Sequence, residues 1–280
     1  MERTPSADIV KGNGSDGASQ ARIDDLFDSF QHGSAGDLAA YIEQGGAPDA
    51  LDGNGFPLLE IATFNGVIDA VAMLIEKGAD VNLPGAKNGT TALMIACEKG
   101  SLQIVEMLLE AGADPAPQNK YGQAALLLAA REGFIDVVTK LLDHGAPVDA
   151  KDLEHGRTAL SFAAGENCID IVKLLLKKGA DVDTRDLNDN TPLIMAGAEG
   201  SLDLFRLLIE NGADVNACNY VGLTPLLEAV GKGNYEACEY LIGKGADVNF
   251  ESLMTNAVSL AKLNHRQDIV DLLVRHGARP

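Results

Sequence analysis

The dipeptide Gly-Ala recurs through this chain at Gly46-Ala47, Gly78-Ala79, Gly112-Ala113, Gly145-Ala146, Gly179-Ala180, Gly212-Ala213, Gly245-Ala246 and Gly277-Ala278, at spacings of 32, 34, 33, 34, 33, 33 and 32 residues. A unit this short cannot close a hydrophobic core alone, so the copies must stack into a quasi-one-dimensional array. Within one period, TALMIACEKG (91–100) is a short apolar segment and SLQIVEMLLEAGAD (101–114) is a second one. In the second, Ile104, Val105, Leu108 and Leu109 fall at i, i+1, i+4 and i+5, the stripe of an amphipathic helix. The Gly that closes it predicts a left-handed C-terminal position, and the polar Ala-Asp-Val-Asn that follows in several copies is an extended connection. One unit therefore reads helix, turn, helix, finger.

Composition agrees with thin helical layers. Hydrophobic residues make up 46% of the chain but aromatics only 5%, and Trp is absent, so Leu, Ile, Val and Ala must fill the core. The formal charge of −19 repels phosphate backbones and argues against a nucleic-acid partner. Cys97, Cys168, Cys218 and Cys238 form no CxxC pair and no metal-spaced cluster with histidine, which predicts reduced thiols and no metal site. The first twenty residues hold no apolar run like that of a secretion signal. No later segment approaches the roughly 18 apolar residues of a membrane span. These features predict no membrane association and a cytoplasmic location, or a nuclear one in a eukaryote.

At Asn190-Thr191-Pro192-Leu193 and Leu223-Thr224-Pro225-Leu226, a Thr hydroxyl is placed to cap a helix whose first residue, Pro, has its φ pre-set. With these residues the sequence resembles the ankyrin repeat, whose pattern runs G-x-T-P-L-H-L-A-A-x-x-G-H and then I-V-x-L-L-x-x-G-A-D-V-N. The resemblance covers residues 23–280. It implies an all-α ankyrin-repeat solenoid of seven to eight helix-turn-helix units with short hairpin-like fingers. Residues 23–47 and 257–280 are expected to be the capping repeats, and residues 1–22, rich in Gly, Ser and Asp, a disordered tail. The family's histidine of Thr-Pro-Leu-His is replaced in every copy, by Glu60, Met94, Leu127, Ser161, Ile194, Leu227 and Ser259. Of these, Met94, Leu127, Ile194 and Leu227 are expected to bury apolar surface against a neighbouring repeat. The two 34-residue periods place their extra residue in the fingers, around Pro84–Gly89 and Asp152–Gly156.

No GxSxG, HExxH or phosphate-binding Gly-rich loop is present, so neither catalysis nor a cofactor nor a small-molecule substrate is expected. His144 and His276 sit in the last turn before Gly-Ala, where an imidazole favours a helix C-terminus. The resemblance implies that finger tips and first-helix ends form a concave binding surface, at positions running here from Asn54 to Lys232 and including Glu199. Among them, Phe56, Phe64, Tyr121, Leu187, Tyr220, Val221 and Leu223 are apolar where polar residues would satisfy the fold, and Arg131 and Arg157 lie beside them. His155 stands in an enlarged finger. Aromatics with Arg are common interface anchors, which points to a non-enzymatic protein-binding module, an adaptor, scaffold or inhibitor, monomeric when unbound. The same side chains could instead pack on neighbouring fingers and stiffen the array. An alternative function is an acidic antidote that occludes the basic cleft of a partner enzyme. Finally, Leu74–Asn82, Leu208–Asn216 and Leu241–Asn249 each read L-x5-D-V-N, similar to ankyrin sites modified by an asparaginyl hydroxylase; the simpler role of Asn82, Asn216 and Asn249 is turn formation.

Overall fold

The computed structural model describes residues 17–197, 201–253 and 255–279. Sixteen helices among them form eight antiparallel pairs. The first pair is α1 (Gly17–Gln31) with α2 (Gly36–Glu43), followed by α3 (Leu58–Phe64) with α4 (Ile68–Glu76), α5 (Ala92–Glu98) with α6 (Leu102–Glu110), and α7 (Ala125–Arg131) with α8 (Ile135–Asp143). The chain continues with α9 (Ala159–Gly165) and α10 (Ile169–Lys177), α11 (Pro192–Ala196) and α12 (Leu202–Glu210), α13 (Pro225–Gly231) and α14 (Tyr235–Gly243), then α15 (Ala257–Leu263) and α16 (Gln267–Arg275). First helices stack on first helices from α1 to α15, and second helices on second helices from α4 to α16, so the array has two layers. Helix α1 starts at Gly17, inside the stretch expected to be a tail; residues 1–16 lie outside those described.

Local chemistry sets the helix boundaries. The hydroxyls of Thr91, Thr158, Thr191 and Thr224 accept from the backbone N–H of Met94, Ser161, Ile194 and Leu227, at 3.4, 3.2, 3.4 and 3.2 Å. Helix α7 begins without such a cap, because Ala124 holds that position. Second helices bury a stripe such as Ile104, Val105, Leu108 and Leu109 of α6. Each then ends on a left-handed glycine. In the first unit that glycine is Gly45 (φ 86°) rather than Gly46, whose Cβ position is blocked by the Tyr41 ring. The expected marker at Gly46 is thus displaced by one residue.

Met94, Leu127, Ile194 and Leu227 are buried as expected, each contributing about 1.5–3 kcal/mol. The fingers are tighter than hairpins. Each is a turn closed by one backbone bond, Asp52 N to Phe56 O (2.9 Å), Asn119 N to Gln123 O (3.1 Å) or Asn219 N to Leu223 O (3.1 Å), and only Leu51↔Pro57 and Glu251↔Asn256 form β-bridges among the described residues. In the two 34-residue units the closing bond spans one residue more, from Gly85 N to Thr90 O (2.9 Å) and from Asp152 N to Arg157 O (3.0 Å). Both insertions therefore lie in the fingers and leave the helices untouched.

Candidate functional site

Each finger is organised by the residue at its base. One side-chain oxygen of Asp52, Asn119, Asp152, Asp186 or Asn219 accepts two backbone N–H groups of its own tip, for example Tyr121 N (3.0 Å) and Gln123 N (3.1 Å) on Asn119, or Asn188 N (2.8 Å) and Asn190 N (2.9 Å) on Asp186. The second finger has Gly85 there, and the carboxyl of Glu60 from α3 occupies the space a side chain would take. Glu60 Oε2 is buried without a hydrogen-bond partner; desolvation, reinforced by the nearby Asp52 charge, pushes its pKa up to about 7.

Successive tips are tied together by the residue that follows the base. Ala86 N donates to Gly55 O (3.1 Å), Lys120 N to Asn88 O (2.9 Å) and Leu153 N to Tyr121 O (2.9 Å). The ladder continues through Leu187 N to His155 O (2.7 Å), Tyr220 N to Asn188 O (3.2 Å) and Leu253 N to Val221 O (3.3 Å). Side chains add a second set of rungs, with Gln118 Nε2 on Lys151 O (3.0 Å), Lys151 Nζ on Arg185 O (2.7 Å) and Arg185 Nη1 on Cys218 O (3.0 Å). Seven fingers thus form one connected edge beside the first-helix layer.

On this face the sequence candidates divide by environment. Phe64, Tyr121, Leu187 and Tyr220 are exposed by 58%, 46%, 70% and 64%, and His155 is exposed as well. Phe56, Val221 and Leu223 are half-buried, with Phe56 and Leu223 packed on the core. The two arginines are engaged within the chain: Arg131 pairs with Glu98 (3.3 Å) and Glu132 (2.9 Å), and Arg157 Nε faces the fully buried carboxylate of Asp186 at 3.6 Å while its guanidinium lies 5.8 Å from the Phe162 ring centre. Glu199 lies outside the described residues. Sequence reasoning missed Leu153 and Leu253, exposed by 69% and 82%. The signal was available, since both hold the finger register of Leu187 and Tyr220.

A family model described as ankyrin repeats matches the chain in three copies, over residues 29–119, 112–186 and 184–252. The chain belongs to the ankyrin-repeat family. Among solved structures it is similar to the ankyrin repeat domain of Bcl-3, described as a unique member of the IkappaB protein family. The two share 30% sequence identity with a TM-score of 0.67, over 79% of this chain and 99% of that one. A search of the curated proteins gives no match.

Within this ankyrin array the three finger asparagines clamp neighbouring repeats. Asn82 Nδ2 donates to Gly112 O (3.2 Å) while its Oδ1 accepts from Asp114 N (2.8 Å). Asn216 bridges Gly245 O (3.0 Å) and Asp247 N (2.8 Å), and Asn249 bridges Gly277 O (3.1 Å) and Arg279 N (2.9 Å). Where Asp takes the position, as at Asp149 and Asp183, only the accepting half remains. His144 caps α8 as expected, its ring N–H donating to Lys140 O at 2.8 Å. Burial raises the Cys97, Cys168 and Cys238 thiols, Cys238 to about 12, which keeps them protonated and poorly nucleophilic.

Proposed function

We propose that this ankyrin array is a non-enzymatic protein-binding module, an adaptor, scaffold or inhibitor that engages a partner protein on its finger and first-helix face. The observation that carries this reading is the exposure of Tyr121, Leu187 and Tyr220 on tips whose backbones are bonded to one another. Apolar side chains held on a rigid edge lose little freedom on binding, and buried aromatic anchors supply most of an interface's energy. Membership of the ankyrin family and the similarity to the Bcl-3 domain support an interaction role of this class. On this reading the protein is a monomer when unbound and works in the cytoplasm, or in the nucleus of a eukaryote.

An affinity pull-down tests the assigned face. The wild type is expected to retain a protein partner that the triple variant Tyr121→Ser/Leu187→Ser/Tyr220→Ser loses, with a nearly unchanged unfolding midpoint. Equal recovery of the same partner by both proteins overturns it.

The charge of −19 favours a second reading, in which the module is an inhibitor that occludes the basic cleft of an enzyme. Complex formation would then weaken steeply from low to high salt, whereas an interface carried by the apolar tips would respond little.

A further inference from the structure

The position that donates each rung of the finger ladder changes character halfway along the array. It is Ala86 and Lys120 in the second and third fingers, then Leu153, Leu187, Tyr220 and Leu253 in the next four. These four side chains are 69%, 70%, 64% and 82% exposed. On the N-terminal half, every exposed or half-buried aromatic of the face is covered by a lysine: Lys87 over Phe56 (5.1 Å), Lys99 over Phe64 (4.1 Å) and Lys120 over Tyr121 (5.0 Å). Tyr220, the one aromatic among the C-terminal four, has no cation over its ring among the described residues. Lys151 and Arg185, the basic residues at the bases of the fourth and fifth fingers, are engaged on backbone carbonyls of neighbouring fingers. The exposed carboxylates of the same tips, Glu154, Asp189 and Glu251, form no ion pair among the described residues.

We propose that Leu153, Leu187, Tyr220 and Leu253 form a docking ridge for a basic amphipathic α-helix of a partner protein. Its apolar stripe would lie along the four tips and its Lys and Arg side chains beside Glu154, Asp189 and Glu251. The charge argument is complementarity: an apolar row flanked by unpaired carboxylates discriminates against an acidic segment, which would bury like charges. It also disfavours a second copy of this chain, whose own charge is −19. The spacing argument is geometric. Each finger is two passes of chain roughly 4.8 Å apart, so successive tips stand about 10 Å apart. Seven residues of α-helix rise about 10.5 Å and return to the same face, matching that interval. An extended strand covers it in about three residues, which turns alternate side chains away from the ridge. The backbone rungs fix the four tips before the partner arrives.

This inference rests on the protein-binding reading above, and the experiment separates the two. A displayed library of helix-forming peptides, randomised in charge and in apolar register, is selected against the full chain. The expected result is enrichment of basic peptides with large apolar residues at every seventh position. Their affinity should fall about tenfold or more on the variant Leu153→Ser/Leu187→Ser/Tyr220→Ser/Leu253→Ser and on the charge-reversed Glu154→Lys/Asp189→Lys/Glu251→Lys. The charge-reversed protein keeps every apolar side chain and serves if the first variant fails to fold. Enriched peptides that are acidic, or that bind both variants normally but lose affinity for Phe64→Ser/Tyr121→Ser, overturn the ridge and leave the broader reading standing. Absence of any enriched peptide, or binding indifferent to all three variants, overturns the ridge, while the pull-down above decides the broader reading.

Discussion

The carboxyl of Glu60 stands where a side chain on Gly85 would stand: a Cβ at Gly85 would overlap Glu60 Oε2. The two positions are coupled across a repeat boundary. Glu60 occupies the motif's histidine position in α3, and Gly85 is the base of the second finger, where other fingers place Asp or Asn. The exchange fills the space but leaves Oε2 without a partner, since burial at 7% exposure admits no bulk water and no donor faces it.

Glu60 therefore makes stability fall with rising pH. Its folded pKa of about 7 exceeds the ordinary 4.5, so the folded state holds the proton more tightly than the unfolded one. The stabilising contribution is complete below pH 4.5 and is lost as pH rises through 7, by about 2–3 kcal/mol. Urea unfolding of Glu60→Gln should match the wild type at pH 4 and exceed it by about that amount at pH 8. Equal difference curves at both pH values would remove Glu60 as the cause.

Asn216 should matter to the junction between its repeat and the next, because its amide serves both Gly245 O and Asp247 N. Asn216→Ala removes both bonds at an expected cost of about 1–2 kcal/mol, and Asn216→Asp, which keeps the accepting half as Asp183 does, should cost less. Denaturant midpoints of the two variants rank them.

Helix α7 lacks the hydroxyl cap that α5, α9, α11 and α13 have. Ala124→Thr should stabilise the array by about 0.5–1 kcal/mol, and Thr158→Ala should destabilise it by about 1 kcal/mol. Thermal unfolding checks both, and a destabilised Ala124→Thr would mean that the threonine methyl does not fit at this buried site.

Arg157 is expected to behave as a folding residue. Replacing it with Met leaves the buried Asp186 carboxylate without its cation and should cost about 1–3 kcal/mol, whereas Arg131→Ala, at a more exposed pair, should cost under about 0.5 kcal/mol. Partner binding by a stabilised Arg157→Met protein, measured well below its unfolding midpoint, should be close to that of the wild type.

Much of the fold was legible because ankyrin information is local and repeated. Helix stripes, Thr caps and closing glycines depend on residues a few positions apart, and each appears in several copies. Even the one-residue insertions were placed correctly in their fingers, since the flanking helices left no other room. The first unit misled by one residue, because Gly45 and Gly46 are equally able to end a helix and the left-handed conformation falls on Gly45.

The binding face was legible only as a zone. Phe64, Tyr121, Leu187 and Tyr220 were identified by being apolar where polar residues suffice, and they are exposed; Arg131 and Arg157 met the same composition rule, yet both are held by carboxylates. Leu153 escaped notice beside the charged Glu154 and His155 of its enlarged finger, as did Leu253 next to the C-terminal cap. Their equivalence to Leu187 and Tyr220 was nonetheless readable, since all four follow the Gly of their Gly-Ala pair by eight residues; what the ladder added is that all four tips are held in one row.

By itself, the sequence determined an array of stacked helix pairs, its period, its caps and its acidity, because these follow from spacing and composition along one chain. Tertiary structure alone decided which side chains are free: whether Arg157 faces solvent or Asp186, whether Lys120 covers Tyr121, and that Glu60 fills the place of a missing finger base. Two of those outcomes join residues 29 and 25 positions apart in neighbouring repeats, and the third turns on the conformation of adjacent side chains; in each, side-chain placement and burial outweigh residue type.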